Sequence, residues 1–450
     1  MELRGVRRRA ALEDALRSAI RGGRLAAGVR LPSSRVLATE LGVARNTVAD
    51  AYGQLVAEGW LEARQGSGTR VAVHGVETVV PGSAAVGAAG GSVRFDLSPG
   101  VPTLAGFPRS GWNAAARRAM TDAADECFGY PDPRGHPGLR RALVEYLARV
   151  RGVRAAPEQI IICSGFRQGL ALLADVLRRA GTDRVAVESH GVVIHHDVLR
   201  ANGISTCPVP VDEYGARTDE LGDCGAALLT PAHQFPLGVA LSPERRNAAI
   251  GWARERSAWL LEDDYDGEFR YDRRPIGALQ ALAPDRVVYL GTASKSLAPA
   301  VGLGWIVAPA ALVEELVEAK RRADGFTGVL EQLTLEQFLR SGGYDRHVRR
   351  CRLRYQQRRE QLLAAMADTG ATVTGIAAGL HAMVGLLDLP ASEEPRLRHR
   401  AAAMGLRIRT LTEFTAQPDP AASAAVVVGY SRPSDSALAP ALDLLARTLR

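Results

Sequence analysis

The stretch GTASKSLAPAVGLG, Gly291 to Gly304, continues the apolar run RVVYLG and reads as a buried strand passing into a loop of small residues. It carries Lys295, and the only other lysine in the sequence is Lys320, so 54 of the 56 basic residues are arginine. A chain that writes its cations as arginine and keeps a lysine here points to a need for the amine itself. Arginine stays charged at any accessible pH, whereas a desolvated lysine can lose its proton and attack a carbonyl carbon. On spacing alone two readings stay open, a solvated surface charge or a reactive amine at a strand's end. Lys320, inside the charged helical run LVEELVEAKRRAD, is expected to be a solvated surface charge.

Outward from Lys295, short apolar runs alternate with amphipathic helical ones. QIIICSG, RVAVESH, AALLTPA, AWLLEDD and GWIVAPA read as buried strands, and RQGLALLADVLRRAG and SPERRNAAIGWARERS as the helices between them. Such alternation predicts a mostly parallel sheet covered by helices, with ligands at the carboxyl ends of its strands, where CSG, EDDYD and TASK fall. From about Ala310 the chain turns helical and then ends in short strands around GLHAMVGLLDL and AAVVVGYSR, which predicts a smaller α+β lobe. The expected division is a small domain over 1–74, a linker over 75–92 (GVETVVPGSAAVGAAGGS), and a body over 93–450 with a large lobe to about 309 and a small lobe from 310.

At 450 residues, 46% hydrophobic and 23% charged, the chain exceeds one ordinary domain and has globular composition. It lacks an apolar run of the roughly 18 residues a membrane span needs, and its amphipathic, charged first residues are unlike a secretion signal, so a cytoplasmic protein is expected. Five cysteines are scattered without a C-x-x-C pair, which predicts reduced structural thiols and no zinc site. The net charge is +7, and residues 1–74 hold twelve arginines against seven acidic residues, a surplus of five. A basic small domain on a nearly neutral body suggests a polyanion partner.

In that domain Ser33 or Ser34 caps a helix to about Leu41, Gly42 to Ala44 make a tight turn, and a second helix runs from Arg45 to Glu58. This is helix-turn-helix spacing, with Arg45, Asn46 and Thr47 at the second helix's start, where side chains reach base edges. WLEARQGSGTRVAV follows as two strands around a turn, a wing bearing Arg64 and Arg70. The pattern from about Ala11 to Val73 resembles the winged-helix domain of GntR-type regulators. The resemblance implies DNA contacts from Arg35, Arg45, Thr47 and the wing glycines Gly66 and Gly68.

Pyridoxal phosphate chemistry needs a lysine for the internal aldimine, a carboxylate beside the ring nitrogen, a donor to the ring hydroxyl and phosphate anchors. Lys295 can supply the first, Asp263 in LLEDDYDGEFRY the second, and Tyr265, on the same face of an extended segment, the third. An acidic cluster alone reads equally as a solvated loop; the joint occurrence favours a site. YPDPRGHPGLR, CSGFRQGL, TPAHQFPLG, EDDYDGEFRY and GTASKSLAPAVGLG, in that order, resemble the MocR regulators, which fuse a GntR-type head to a fold-type I aminotransferase-like body. The resemblance implies Lys295 as the aldimine lysine, Asp263 beside the pyridine nitrogen, and Tyr265 and His233 near the ring hydroxyl. It further implies Thr292 near the phosphate, Ser164, Gly165 and Phe166 as the phosphate-facing turn, and Tyr130 reaching a neighbouring subunit's cofactor in a homodimer.

Three departures from the family stand out. Gly302 replaces the usual phosphate-binding arginine, Val192 replaces an aromatic, and Arg167 stands where glutamine is common. Two readings of Arg167 stay open, that it takes over part of the phosphate role or that it points away along its helix to a surface partner. His190, His195 and His196 lack the companions of a metal site. Arg409 and Arg432 are the candidates for a substrate carboxylate clamp. The expectation is a DNA-binding regulator sensing pyridoxal phosphate, or an amine or amino acid through it, with chemistry confined to aldimine formation. A working aminotransferase and a regulator that has lost the cofactor are the alternatives.

Overall fold

A computed structural model describes residues 2–64, 68–72, 93–271, 276–419 and 421–450, with the backbone alone for 2–8 and 64. The expected linker 75–92 and Gly66 lie outside these residues. The chain divides into two compact units, Met1–Ala88 and Ala89–Arg450.

In the first unit, helix Glu2–Arg21 places Leu12, Leu16 and Ile20 on one face at four-residue spacing, and all three join the unit's core. Helix Ser34–Leu41 begins where the Ser33 hydroxyl accepts the N–H of Val36 at 3.3 Å, and it stops at Gly42. Helix Arg45–Ala57 buries Val48, Tyr52 and Leu55, four and three residues apart, against Leu61 and Val71 of the hairpin. The hairpin strands Leu61–Arg64 and Gly68–Val71 pair antiparallel, with Arg64 opposite Gly68.

The second unit is built on a seven-stranded sheet. Its spatial order is Ile160–Cys163, Gly304–Val307, Val287–Thr292, Trp259–Asp264, Ala226–Leu229, Arg184–Glu188 and Ser205–Val209. All pairings are parallel except those of Gly304–Val307, which runs antiparallel to both neighbours. The carboxyl ends of the parallel strands therefore share one edge with the start of Gly304–Val307. There the sheet delivers Ser164, Asp263 and Thr292 together, as the alternation of strands and helices predicted.

The small lobe holds an antiparallel sheet in the order Thr372–Thr374, Ala382–Pro390, Ser423–Val428 and Arg409–Thr410. Phe95–Asp96 pairs with Leu406–Arg407 of the small lobe, while helix Ala310–Ala323 packs on the large sheet through Leu312, Leu316 and Ala319. Among the described residues no helix is long and apolar enough to cross a membrane.

Candidate functional site

A cavity of about 400 Å³ opens at the carboxyl edge of the large sheet. Lys295 lines it just after the strand Val287–Thr292, and its Nζ donates to the carbonyl of Gly100 at 2.5 Å. Burial lowers the pKa of this amine from its ordinary 10.5, with Asp263 and Asp266 partly restoring it. Asp263 lines the same cavity from the neighbouring strand. Burial pushes its carboxyl well above the usual range against the pull of Lys295, and its Oδ1 has no hydrogen-bond partner. Such an orphaned acceptor suits a cationic or N–H-bearing group of a ligand.

Tyr265, two residues on, also faces the cavity. Its hydroxyl lies 3.2 Å from Nδ1 of His233, which Asp266 Oδ2 approaches at 2.9 Å. A buried carboxylate thus orients a buried imidazole, which orients the phenol. Burial, with the negative charge of Asp266, raises the tyrosine's pKa well above its ordinary value, so it remains a donor. His233 stands behind Tyr265 and does not line the cavity. Thr292 does, and its hydroxyl is held by Ser294 Oγ at 2.9 Å and the carbonyl of Leu303 at 3.3 Å.

The turn Ser164–Phe166 forms another wall and leads into helix Phe166–Arg179, where Arg167 reaches the cavity from an exposed position. The backbone passes close to Gly304, where an added Cβ would stand 2.8 Å from the Cα of Gly165. Glycine at 304 is what lets the turn sit against the sheet edge. Val192 lines the opposite wall at the head of helix Val193–Ala201. His195, one turn on, lies against Phe166 with ring centroids 4.5 Å apart, and burial drives its pKa down to about 3. The three histidines His190, His195 and His196 line the cavity singly.

The His/carboxylate group that does come together among the described residues is His233, Asp266 and His381, with ligating atoms within 4.8 Å of one another. Asp266 already serves His233 as its hydrogen-bond partner.

Several cavity residues escaped the sequence reading. Glu188 is buried at the end of its strand, accepting from Thr230 Oγ1 at 2.5 Å and Gln234 Nε2 at 3.1 Å, and burial raises its pKa to about 7. Phe235 and Phe414 meet edge to face at 5.0 Å on the small-lobe side, next to His381. TPAHQFPLG contained Gln234 and Phe235, but nothing local marked His381 or Phe414.

Other expected residues lie elsewhere. Tyr130 is 95% exposed and touches Phe326 at 6.1 Å, outside this chain's cavity. Gly302 sits at φ +61° after a short 3₁₀ turn, facing open space. Arg409 pairs with Glu413 at 2.8 Å beneath the ring of Phe414, and Arg432 pairs with Asp96 at 3.2 Å. Lys320, expected in solvent, is 0% exposed. It follows Leu316 and Ala319 on the buried face of its helix and meets Asp324 and Gln168, while Arg321 and Arg322 pair with Glu318 and Asp175 outside.

In the first unit Arg35, Arg45 and Asn46 are exposed and Thr47 partly so. Ala44 before helix Arg45–Ala57 offers no side-chain cap, and of the first-turn N–H groups that of Thr47 bonds the Ala44 carbonyl at 3.0 Å. Gly68 starts the second wing strand at φ +83°, with the Arg30 guanidinium beside it.

Residues 96–421 match the family model of class I and II aminotransferases, and residues 8–71 that of the gntR family of bacterial regulatory proteins. The body is similar to Pyrococcus horikoshii kynurenine aminotransferase, with a TM-score of 0.71 at 24% identity over 80% of this chain and 91% of that one. The protein is thus a winged helix-turn-helix head joined to an aminotransferase-like body, the build of a transcription regulator. Over 410 residues it is 35% identical to the pyridoxine biosynthesis regulator PdxR of Corynebacterium glutamicum, covering 90% of this chain and 88% of that one. It is 34% identical over 375 residues to the probable rhizopine catabolism regulator MocR of Rhizobium meliloti, covering 78% and 76%. The chain belongs to the MocR family of GntR-type transcription regulators.

Proposed function

We propose that the body of this regulator binds pyridoxal phosphate at Lys295 as a sensor, and that occupancy of the cavity alters how paired heads engage operator DNA in the cytoplasm. The observation that carries this reading is a lowered-pKa amine and an unpartnered buried carboxylate oxygen lining one cavity. Bound there, pyridoxal phosphate supplies an aldehyde that a neutral amine can take up covalently. Burial lowers the pKa of Lys295 and so favours its neutral form. Asp263 would face the ring nitrogen, Tyr265 would donate to the ring hydroxyl under the orientation of His233, and Thr292, Arg167 and the Ser164–Phe166 turn would receive the phosphate. Tyr130, exposed on one subunit, would complete the cavity of its partner in a homodimer.

The engagement of Arg409 with Glu413 and of Arg432 with Asp96, together with the absence of both from the cavity lining, favours a sensor over an enzyme, because neither guanidinium is placed as a clamp for a substrate carboxylate there. It also favours pyridoxal phosphate itself, rather than an amino acid, as the effector. The Corynebacterium relative is named a regulator of pyridoxine biosynthesis, which agrees with that choice. DNA contact is assigned to Arg35, Arg45, Asn46 and Thr47, with Arg64, Gly66 and Gly68 in the wing. The test is an absorption spectrum of purified protein titrated with pyridoxal phosphate, followed by borohydride reduction and peptide mass mapping. A new visible or near-ultraviolet band with reduction product on Lys295 is expected; no band and no product would overturn the reading.

A further inference from the structure

Lys320 is one of the chain's two lysines and is wholly excluded from solvent. Its ammonium donates to both carboxylate oxygens of Asp324, at 2.6 and 2.7 Å, and to Oε1 of Gln168 at 3.3 Å. The amide of Gln168 closes the ring, with Nε2 donating to Asp324 Oδ2 at 2.7 Å. Oε1, pinned in this orientation, also accepts the backbone N–H of Ser164 at 2.8 Å. The network therefore ends on the first residue of the turn that walls the cavity, whose next residue, Gly165, packs against Gly304.

We propose that Lys320 is a positioning residue for this anion-facing turn, acting through Asp324 and Gln168 to fix Ser164 and Gly165 for the ligand's phosphate. The proposal rests on the reading that the cavity takes pyridoxal phosphate. Its chemistry explains why a lysine survives at this position. Three acceptors converge on one enclosed point, which suits a compact ammonium with three donors; a planar guanidinium needs more room and spreads its donors in a fork. Without the ammonium, Asp324 loses the cation that holds it beside Gln168, the Gln168 amide loses its fixed place, and Oε1 no longer anchors the Ser164 N–H. Lys320 itself never meets the ligand.

The experiment compares two ligands, pyridoxal phosphate and pyridoxal, which has the same ring and aldehyde but no phosphate. Each is titrated spectroscopically into wild type, Lys320→Met, Gln168→Met and the double variant, with thermal melts alongside. Gln168→Met leaves the Lys320–Asp324 pair in place, so it carries the test if Lys320→Met does not fold. Each single variant is expected to weaken pyridoxal phosphate by roughly tenfold, the worth of one charge-assisted hydrogen bond. Binding of pyridoxal should be unchanged, and the double variant no weaker than either single one, because both break the same relay. Equal losses on the two ligands, or no loss on either, would show an ion pair that merely braces its helix and would overturn the assignment. Wild type that takes up neither aldehyde would instead overturn the functional reading beneath it.

Discussion

Arg432 Nε lies 3.2 Å from Asp96 Oδ2, and Nη1 of Arg407 approaches the same oxygen at 3.4 Å. One carboxylate thus occupies the guanidinium that stood as a candidate clamp for an amino-acid carboxylate. Transamination of common amino acids is expected to be slow or undetectable, measured as loss of the bound ligand's absorption band after mixing with each amino acid. Turnover at about 1 s⁻¹ or faster, an ordinary enzyme rate, would make the body a working aminotransferase.

Lys295→Ala should abolish the borohydride-trapped adduct while leaving the melting temperature nearly unchanged. Lys320, wholly enclosed by Asp324 and Gln168, is not expected to substitute. The amine is reactive only when deprotonated, and burial lowers its pKa. The rate of ligand capture should therefore rise with pH and level off below 10.5, the ordinary lysine value, in a stopped-flow pH series. A rate that keeps climbing past that value would place the reacting amine in solvent.

Arg167→Gln should weaken pyridoxal phosphate by roughly ten- to a hundredfold, corresponding to about 1.5–3 kcal/mol for a charge-assisted bond. An unchanged dissociation constant would assign Arg167 to the exterior of its helix. Gly302→Arg is expected to cost stability without restoring affinity. Its φ of +61° disfavours any side chain by roughly 1–2 kcal/mol, and the added chain would start in open space rather than at the cavity.

Arg45→Ala should weaken operator binding by about 1–3 kcal/mol, more than it weakens binding to random duplex, because the exposed start of helix Arg45–Ala57 is placed for base contact. Fluorescence anisotropy at several salt concentrations separates the cases. Equal loss on both duplexes, with a shallower salt slope, would make Arg45 a phosphate contact.

Where the cavity is lined by strand ends, its lining was legible. Asp263, Thr292 and Lys295 each close an apolar run, and a parallel sheet can only gather such ends at one edge. The head was legible through its caps and turn, Ser33 and Gly42. Residues brought in from the other lobe were not: His381 and Phe414 lie on segments whose patterns describe only their own sheet, and their arrival depends on how the lobes close. Lys320 was misread because charges surround it in sequence. Helical geometry separates neighbours by about 100°, so Arg321 and Arg322 remain outside while the residue before them turns in.

Along the strand Trp259–Asp264 successive side chains point to opposite faces. Asp264 meets the buried Arg151 at 2.6 Å and the hydroxyl of Tyr289 at 2.7 Å, a permanent cation and a permanent donor. Asp263 Oδ1 has no such companion, and burial raises the pKa of this carboxyl, so without a cationic partner it takes up a proton more readily than an exposed one. A ligand's ring nitrogen and a proton would therefore compete for one carboxyl. The body would report the presence of its ligand against a background set by acidity, and a pH shift would change the operator response even at constant ligand concentration.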